Sequence, residues 1–297
     1  MISIQTKQNA KEKNMWAILR VISYSLESTI NKRLLNKKNV IYYLANKYWM
    51  ALPLLAVIYF LDTPVLQSQG IWLLALICVL LALTQLISFH GLARISASTN
   101  IVVKQSKLLM MLLISLILGQ VSGWASVLSV VIVFVGGVLI TKKEVKESSN
   151  KKDTFTGVFL AVFVTAISIA LSFLMKYGFS QNYFSTGIYS ISAIVTIVIL
   201  FNIMHYTNPK SVNSQKKSFD KKEIYLLQLT GVLSVVVNIT NALAIDVMGV
   251  FLTELISATA PILVLLFAVL SKQEKWTLLR VTGVLLTAVG TVLAVIF

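Results

Sequence analysis

The chain has 297 residues, of which 57% are hydrophobic and 12% charged, with a mean hydropathy of +0.83. A soluble domain carries about a quarter charged residues, so a water-covered globule is excluded and a helical membrane protein is expected. The net charge of +15 falls mostly in short hydrophilic breaks, where basic groups meet anionic lipid; no stretch outside the apolar runs mixes aromatic and basic residues as a nucleic-acid surface would.

In chain order, apolar runs between polar breaks predict ten transmembrane helices. They lie near 15–35, 40–60, 71–90, 98–118, 124–141, 155–176, 183–204, 224–245, 248–270 and 277–297, after a polar N-terminal tail at 1–14. Arg20 and Glu27 interrupt the first run, and no small-x-small cleavage site follows it, so it is not read as a cleavable signal peptide. The runs from Ile71 to Phe89 and from Val127 to Ile140 hold no charge. Cys78 is the only cysteine and sits in an apolar run. An intrachain disulfide and a Cys/His metal site are therefore excluded, and no cofactor is expected.

The longest break, a basic linker at 142–154, follows the fifth span and divides the chain into segments 15–141 and 155–297. Setting Gln120 opposite Glu274 places Gly136 opposite Gly290, and Lys32 and Lys176 each close the first span of their half. An odd number of spans per repeat makes the second copy enter the membrane the opposite way, which is a common transporter plan.

Several short motifs carry a resemblance. Tyr24-Ser25-Leu26-Glu27 is followed by Lys32, eight positions after the aromatic residue. Ile256-Ser257-Ala258-Thr259-Ala260-Pro261 is followed about a dozen residues on by Gln273-Glu274-Lys275, and Gly283 to Gly290 fall in the last span. In these features the chain resembles the drug/metabolite transporter superfamily, specifically its ten-span EamA-type members. The resemblance implies two EamA-like repeats of five helices and a substrate among amino acids, nucleotide sugars, drugs and other metabolites. The first half departs from the pattern: Lys107 stands where the family has proline, Gln120 where it has glutamate, and Glu27 where a neutral polar residue is usual. Small four-span relatives use a first-span glutamate for proton-coupled drug export, which resembles the placement of Glu27.

Orientation is read from lysine and arginine. Lys32 to Lys38, Arg94, Lys142 to Lys152, Lys210 to Lys222, Lys272 and Lys275 all fall on one side of a ten-span topology. That side is expected to be cytoplasmic, with both termini outside. The resemblance implies cytoplasmic termini instead, and the two expectations conflict.

Ionisable groups deep in a bilayer are costly and mark function by default. Glu27 lies about twelve residues into a span of roughly twenty, near the midplane at about 1.5 Å per residue. It is the candidate for proton coupling, against a structural pair with Lys104, Lys107 or Arg20. Lys104 and Lys107 share a helix face and suit an anionic substrate such as a carboxylate or phosphate ester. Asn100, Gln85, Asn238, Asn241 and Glu254 complete the expected substrate-binding set; for the asparagines the commoner role is to hold helices together. Arg20 is expected to snorkel outward. Pro261 loosens its helix for gating, and Gly136, Gly137, Gly283 and Gly290 allow close packing. His90 and His205 are read as interfacial hydrogen-bonders.

An intramembrane enzyme is disfavoured, since no zinc-protease motif, serine elbow or deep aspartate occurs. A purely structural or sensory protein would not need charges at depth. The expectation is an all-α polytopic membrane protein, with ten transmembrane helices as two inverted five-helix repeats, in the plasma membrane. It is read as a secondary transporter moving a small polar, anionic metabolite by alternating access, with proton coupling or exchange. An exporter of amino acids or drugs, or a flippase for a lipid-linked anion, is the alternative. The expected partners are the small-molecule substrate and the lipid bilayer; a homodimer is left open.

Overall fold

The structure is a computed structural model and describes residues 2–35, 39–61, 64–104, 107, 108, 110, 111, 114, 124–147, 151–208, 219–273 and 275–296. Those residues are almost entirely helical, as backbone in lipid must be when it has only itself to hydrogen-bond. In chain order the helices are α1 (Ile2–Leu35), α2 (Val40–Lys47), α3 (Leu52–Leu61), α4 (Gly70–Leu92), α5 (Ala97–Lys104), α6 (Trp124–Glu147), α7 (Lys151–Ser180), α8 (Thr186–Thr207), α9 (Lys221–Met248), α10 (Val250–Ser257), α11 (Ala260–Leu270) and α12 (Leu278–Ile296).

Among the described residues, six segments are long and apolar enough to cross a membrane: Val40–Phe60, Gly70–Leu92, Asp153–Ser180, Thr186–Thr207, Lys221–Met248 and Val250–Leu270. Val127–Leu139 and Leu278–Gly290 are shorter apolar stretches. Phe60, Trp72, Trp124 and Leu278 stand more than four-fifths exposed on the outside of the bundle. So much large apolar surface suits lipid rather than water. The chain is a multi-pass membrane protein.

Two of the six segments are broken. Between α2 and α3 the chain makes a short 3-10 turn, Trp49–Ala51, just ahead of Pro53, which has no N–H to give and crowds the preceding turn. Gln228 of α9 repairs this break from both sides, donating to the Asn46 carbonyl (2.8 Å) and accepting from the Met50 N–H (2.9 Å). Helix α9 can come this close because residue 231 is glycine: a Cβ there would lie 2.0 Å from the Lys47 carbonyl oxygen. The second break separates α10 from α11, where Pro261 sits in the first turn. Both interruptions fall within apolar segments, the usual place for a transporter's polar site.

Helix α1 lies along α9, α4 along α7, and α6 along α12; α11 also packs on α1, and α5 on α7. Glycine sets the α6–α12 approach as the sequence predicts. A Cβ on Gly136 would meet the Gly283 carbonyl oxygen at 2.6 Å and the Thr287 hydroxyl at 2.6 Å; one on Gly290 would meet the Ser129 carbonyl oxygen and a Val133 methyl, both at 2.8 Å. These two contact sets are reciprocal. Each residue of one set lies 154 positions from its counterpart in the other, the offset that pairs Gly136 with Gly290.

Candidate functional site

Between the α1–α9 and α4–α7 pairs lies a cavity of about 280 Å³, walled by α1, α4, α7, α9 and α10 together with residues 104, 107 and 108. Apart from Lys104, its charged groups belong to two buried clusters.

The first centres on Glu254 of α10. Its Oε1 accepts from Lys107 Nζ (2.8 Å) and Arg20 Nη2 (3.3 Å). Lys107 also donates to Ser172 Oγ of α7 at 2.8 Å, and Arg20 to Ser257 Oγ at 2.6 Å. Two cations thus share one carboxylate. Arg20 does not snorkel outward: the partners that turn it inward come from α10, more than 230 residues along the chain, and no local pattern announces them.

The second centres on Glu27 of α1. Its Oε1 accepts from Lys47 Nζ (2.7 Å), Ser234 Oγ (2.5 Å) and Asn31 Nδ2 (3.1 Å). Asn31 is held in turn by a hydrogen bond from the Tyr43 hydroxyl. The Lys47 side chain is fully buried and its ammonium lies 4.7 Å from the centre of the Phe89 ring, a cation–π contact. The structural partner of Glu27 is therefore Lys47, not Lys104, Lys107 or Arg20. Lys47 was legible in principle, since it sits inside the apolar run 40–60 and is as anomalous there as Lys107 in its own run.

Lys104 stands apart from both clusters. Its Nζ donates to Ser88 Oγ (2.6 Å) and reaches the Tyr24 hydroxyl at 3.4 Å, with no carboxylate among its described partners. In the cavity wall, Asn238 Nδ2 and Asn241 Oδ1 of α9 are buried without a hydrogen-bond partner among the described residues. Unpaired buried amides are costly, and here they lie in the wall of a cavity a polar solute can enter.

Of the residues named from sequence, Glu27, Gln85, Lys104, Lys107, Asn238, Asn241 and Glu254 all line this cavity, as do Thr84 and Ser88. Gln85 accepts from the Tyr48 hydroxyl at 2.7 Å. Asn100 is buried with its Oδ1 unpartnered, but it is not among the lining residues. Pro261 is the second residue of α11, directly after Ala260, whose carbonyl accepts from Ser25 at 3.2 Å. Gln105, Gln120 and Glu274 lie outside the described residues. Sequence reasoning missed Ser172 and Ser234, because hydroxyl groups are common in these helices and nothing local distinguishes those that meet a charge; Ser257 lies in the quoted 256–261 motif but was not assigned a partner. Among the described residues no group of His, Cys, Asp or Glu could hold a metal ion.

Comparison with known proteins agrees with this architecture. Residues 13–142 match the EamA-like transporter family. A solved structure described only as a crystal structure of a protein is 15% identical, with a TM-score of 0.69 over 95% of this chain and 98% of that one. At that identity the likeness concerns the fold alone. No curated protein matches the chain. The family match and the apolar helices together support a membrane transporter of the drug/metabolite superfamily.

Proposed function

We propose that the chain is a secondary transporter that carries a small polar, anionic metabolite through this cavity by alternating access, and that it is built as ten spans in two inverted five-helix repeats. The observation that carries the substrate reading is the balance of charge in the cavity. With Glu27 matched by Lys47, the described lining residues include Arg20, Lys104 and Lys107 against Glu254. Lys104, whose partners among the described residues are hydroxyl groups, is the cation to which an incoming carboxylate or phosphate would dock, since bonds to an ionised partner are stronger than those to a neutral hydroxyl. The volume suits a metabolite rather than a macromolecule. Asn238 and Asn241 supply donor and acceptor for the rest of the solute.

The repeat reading is supported by the reciprocal Gly136 and Gly290 contacts, which a two-fold axis across the α6–α12 pair produces. The lysine-rich loops belong on the cytoplasmic side of a plasma membrane on the charge rule. Glu27 remains the coupling candidate, and coupling through it requires a step that moves Lys47 away.

Uptake into proteoliposomes tests the reading. A panel of carboxylates, phosphate esters and amino acids is offered to wild type, to Lys104→Ala/Lys107→Ala and to Glu27→Gln, with and without a pH gradient. Anion uptake that the lysine change abolishes supports the cavity, and gradient dependence confined to proteins that keep Glu27 supports coupling. Movement of cationic drugs with the anions left behind would refute the substrate class.

A further inference from the structure

Two lysines outside the cavity hold its opposite ends. Lys32, in the last turn of α1, donates from Nζ to the Leu92 and Ala93 carbonyls at the C-terminal end of α4, at 2.9 and 3.3 Å. Lys176, near the end of α7, donates to the Asp246 carbonyl near the C-terminal end of α9 at 2.7 Å. The two bonds are alike in kind. Each joins the end of a half's first long helix to the C-terminal carbonyls of that half's third span, where the helix dipole and unpaired carbonyls favour a cation.

Their placement is what matters for transport. Helix α1 packs along α9 and α4 along α7, so the cavity divides the bundle into two pairs. Lys32 ties α1 to α4 and Lys176 ties α7 to α9; each bond runs from one pair to the other across the cavity. They lie at opposite ends, since α4 and α7 run antiparallel. The C-terminal end of α4 meets the start of α7, where a Cβ on Gly157 would lie 3.3 Å from the Gly91 carbonyl oxygen. The N-terminal end of α4 meets the loop after α7, where one on Gly70 would lie 2.8 Å from the Tyr183 carbonyl oxygen. Lys32 lies five residues beyond Glu27, and Lys176 directly follows Met175, both cavity-lining.

We infer that Lys32 and Lys176 are the latches of two opposed gates, one at each mouth of the cavity, and that opening the cavity to either side requires release of the lysine on that side. The inference rests on the alternating-access reading and specifies how it is executed. Bonds from a lysine to helix-end carbonyls suit the task, because they can bias which mouth is shut and still be exchanged within a cycle. Lysines that only cap helix ends would stabilise α4 and α9 without any preference for side.

Sidedness of access separates the two roles without needing a substrate. In a Cys78→Ala background, Ser168→Cys places a thiol in the cavity wall, and membrane-impermeant maleimide is applied from each side of oriented vesicles. Lys32→Gln is expected to raise labelling from the basic-loop side, and Lys176→Gln from the opposite side, each by roughly tenfold, the effect of losing one charge-assisted bond. Lys32→Arg and Lys176→Arg keep a donor in reach and should stay near wild type. Labelling that does not change, or that rises on the same side for both variants, overturns the latch assignment. Anion uptake by wild type, measured separately in the same vesicles, reports on the transport reading itself, so failure of one is distinguishable from failure of the other.

Discussion

The ion pair between Glu27 and Lys47 allows the account to be tested by stability alone. Lys47 Nζ sits 2.7 Å from Glu27 Oε1, with the lysine side chain fully shielded and that of the glutamate 10% exposed. Replacing Lys47 by methionine preserves most of the volume beside Phe89 but strands a carboxylate in the protein interior. Removing one partner of a buried pair costs about 3–5 kcal/mol. Adding Glu27→Gln removes the stranded charge and keeps an acceptor for Ser234 and Asn31, both within 3.1 Å of Oε1. Replacing a buried pair as a whole is often close to neutral, so the double variant should return to within about 1 kcal/mol of wild type. Unfolding in detergent of wild type, both single variants and the double closes the cycle. If Lys47→Met is as stable as wild type, or if the double variant is no more stable than that single change, the pair does not exist as described.

Three further outcomes are expected. Lys104→Met should raise the apparent KM for an anionic substrate about 10- to 100-fold, the loss of one charged hydrogen bond, with folding unchanged by thermal melt; Lys104→Arg should recover most of it. Gly136→Ala and Gly290→Ala should each destabilise by about 1–3 kcal/mol through overpacking, and by similar amounts if their contacts are reciprocal, as chemical denaturation would report. Gly231→Ala drives a methyl against the Lys47 carbonyl, so α9 must move off the break and Gln228 must lose its two bonds; the expected result is loss of monodisperse protein in size-exclusion chromatography.

Much of the helix layout was legible because length and apolarity decide which segments enter a bilayer. The uncharged run from Ile71 to Phe89 appears as Gly70–Leu92, and the run placed at 183–204 appears as Thr186–Thr207. The broken segment at Pro261 was also legible, since proline carries its own local signature. At Trp49–Ala51 Pro53 is the local signal, whereas the bonds from Gln228 that close the break come from a helix distant in sequence. The site divides along the same line. Lys104, Lys107, Glu27 and Glu254 stood out as charges at depth, a property of one segment. Which charge meets which is a property of packing: Arg20 turns inward to Glu254, and the carboxylate of Glu27 goes to Lys47 rather than to Lys104, Lys107 or Arg20. Asn238 and Asn241 lie in the cavity wall, each with one buried amide atom unpartnered among the described residues.

The central claim is that the cavity carries a small anion by alternating access, and solute counterflow tests it most directly. Proteoliposomes preloaded with an unlabelled anion from the uptake panel are diluted into trace label, and influx is compared with unloaded vesicles and with Lys104→Met. Alternating access predicts saturable influx, accelerated by the anion on the far side and lost in Lys104→Met. Influx that neither saturates nor responds to the far side, or that is confined to neutral and cationic solutes, would contradict it.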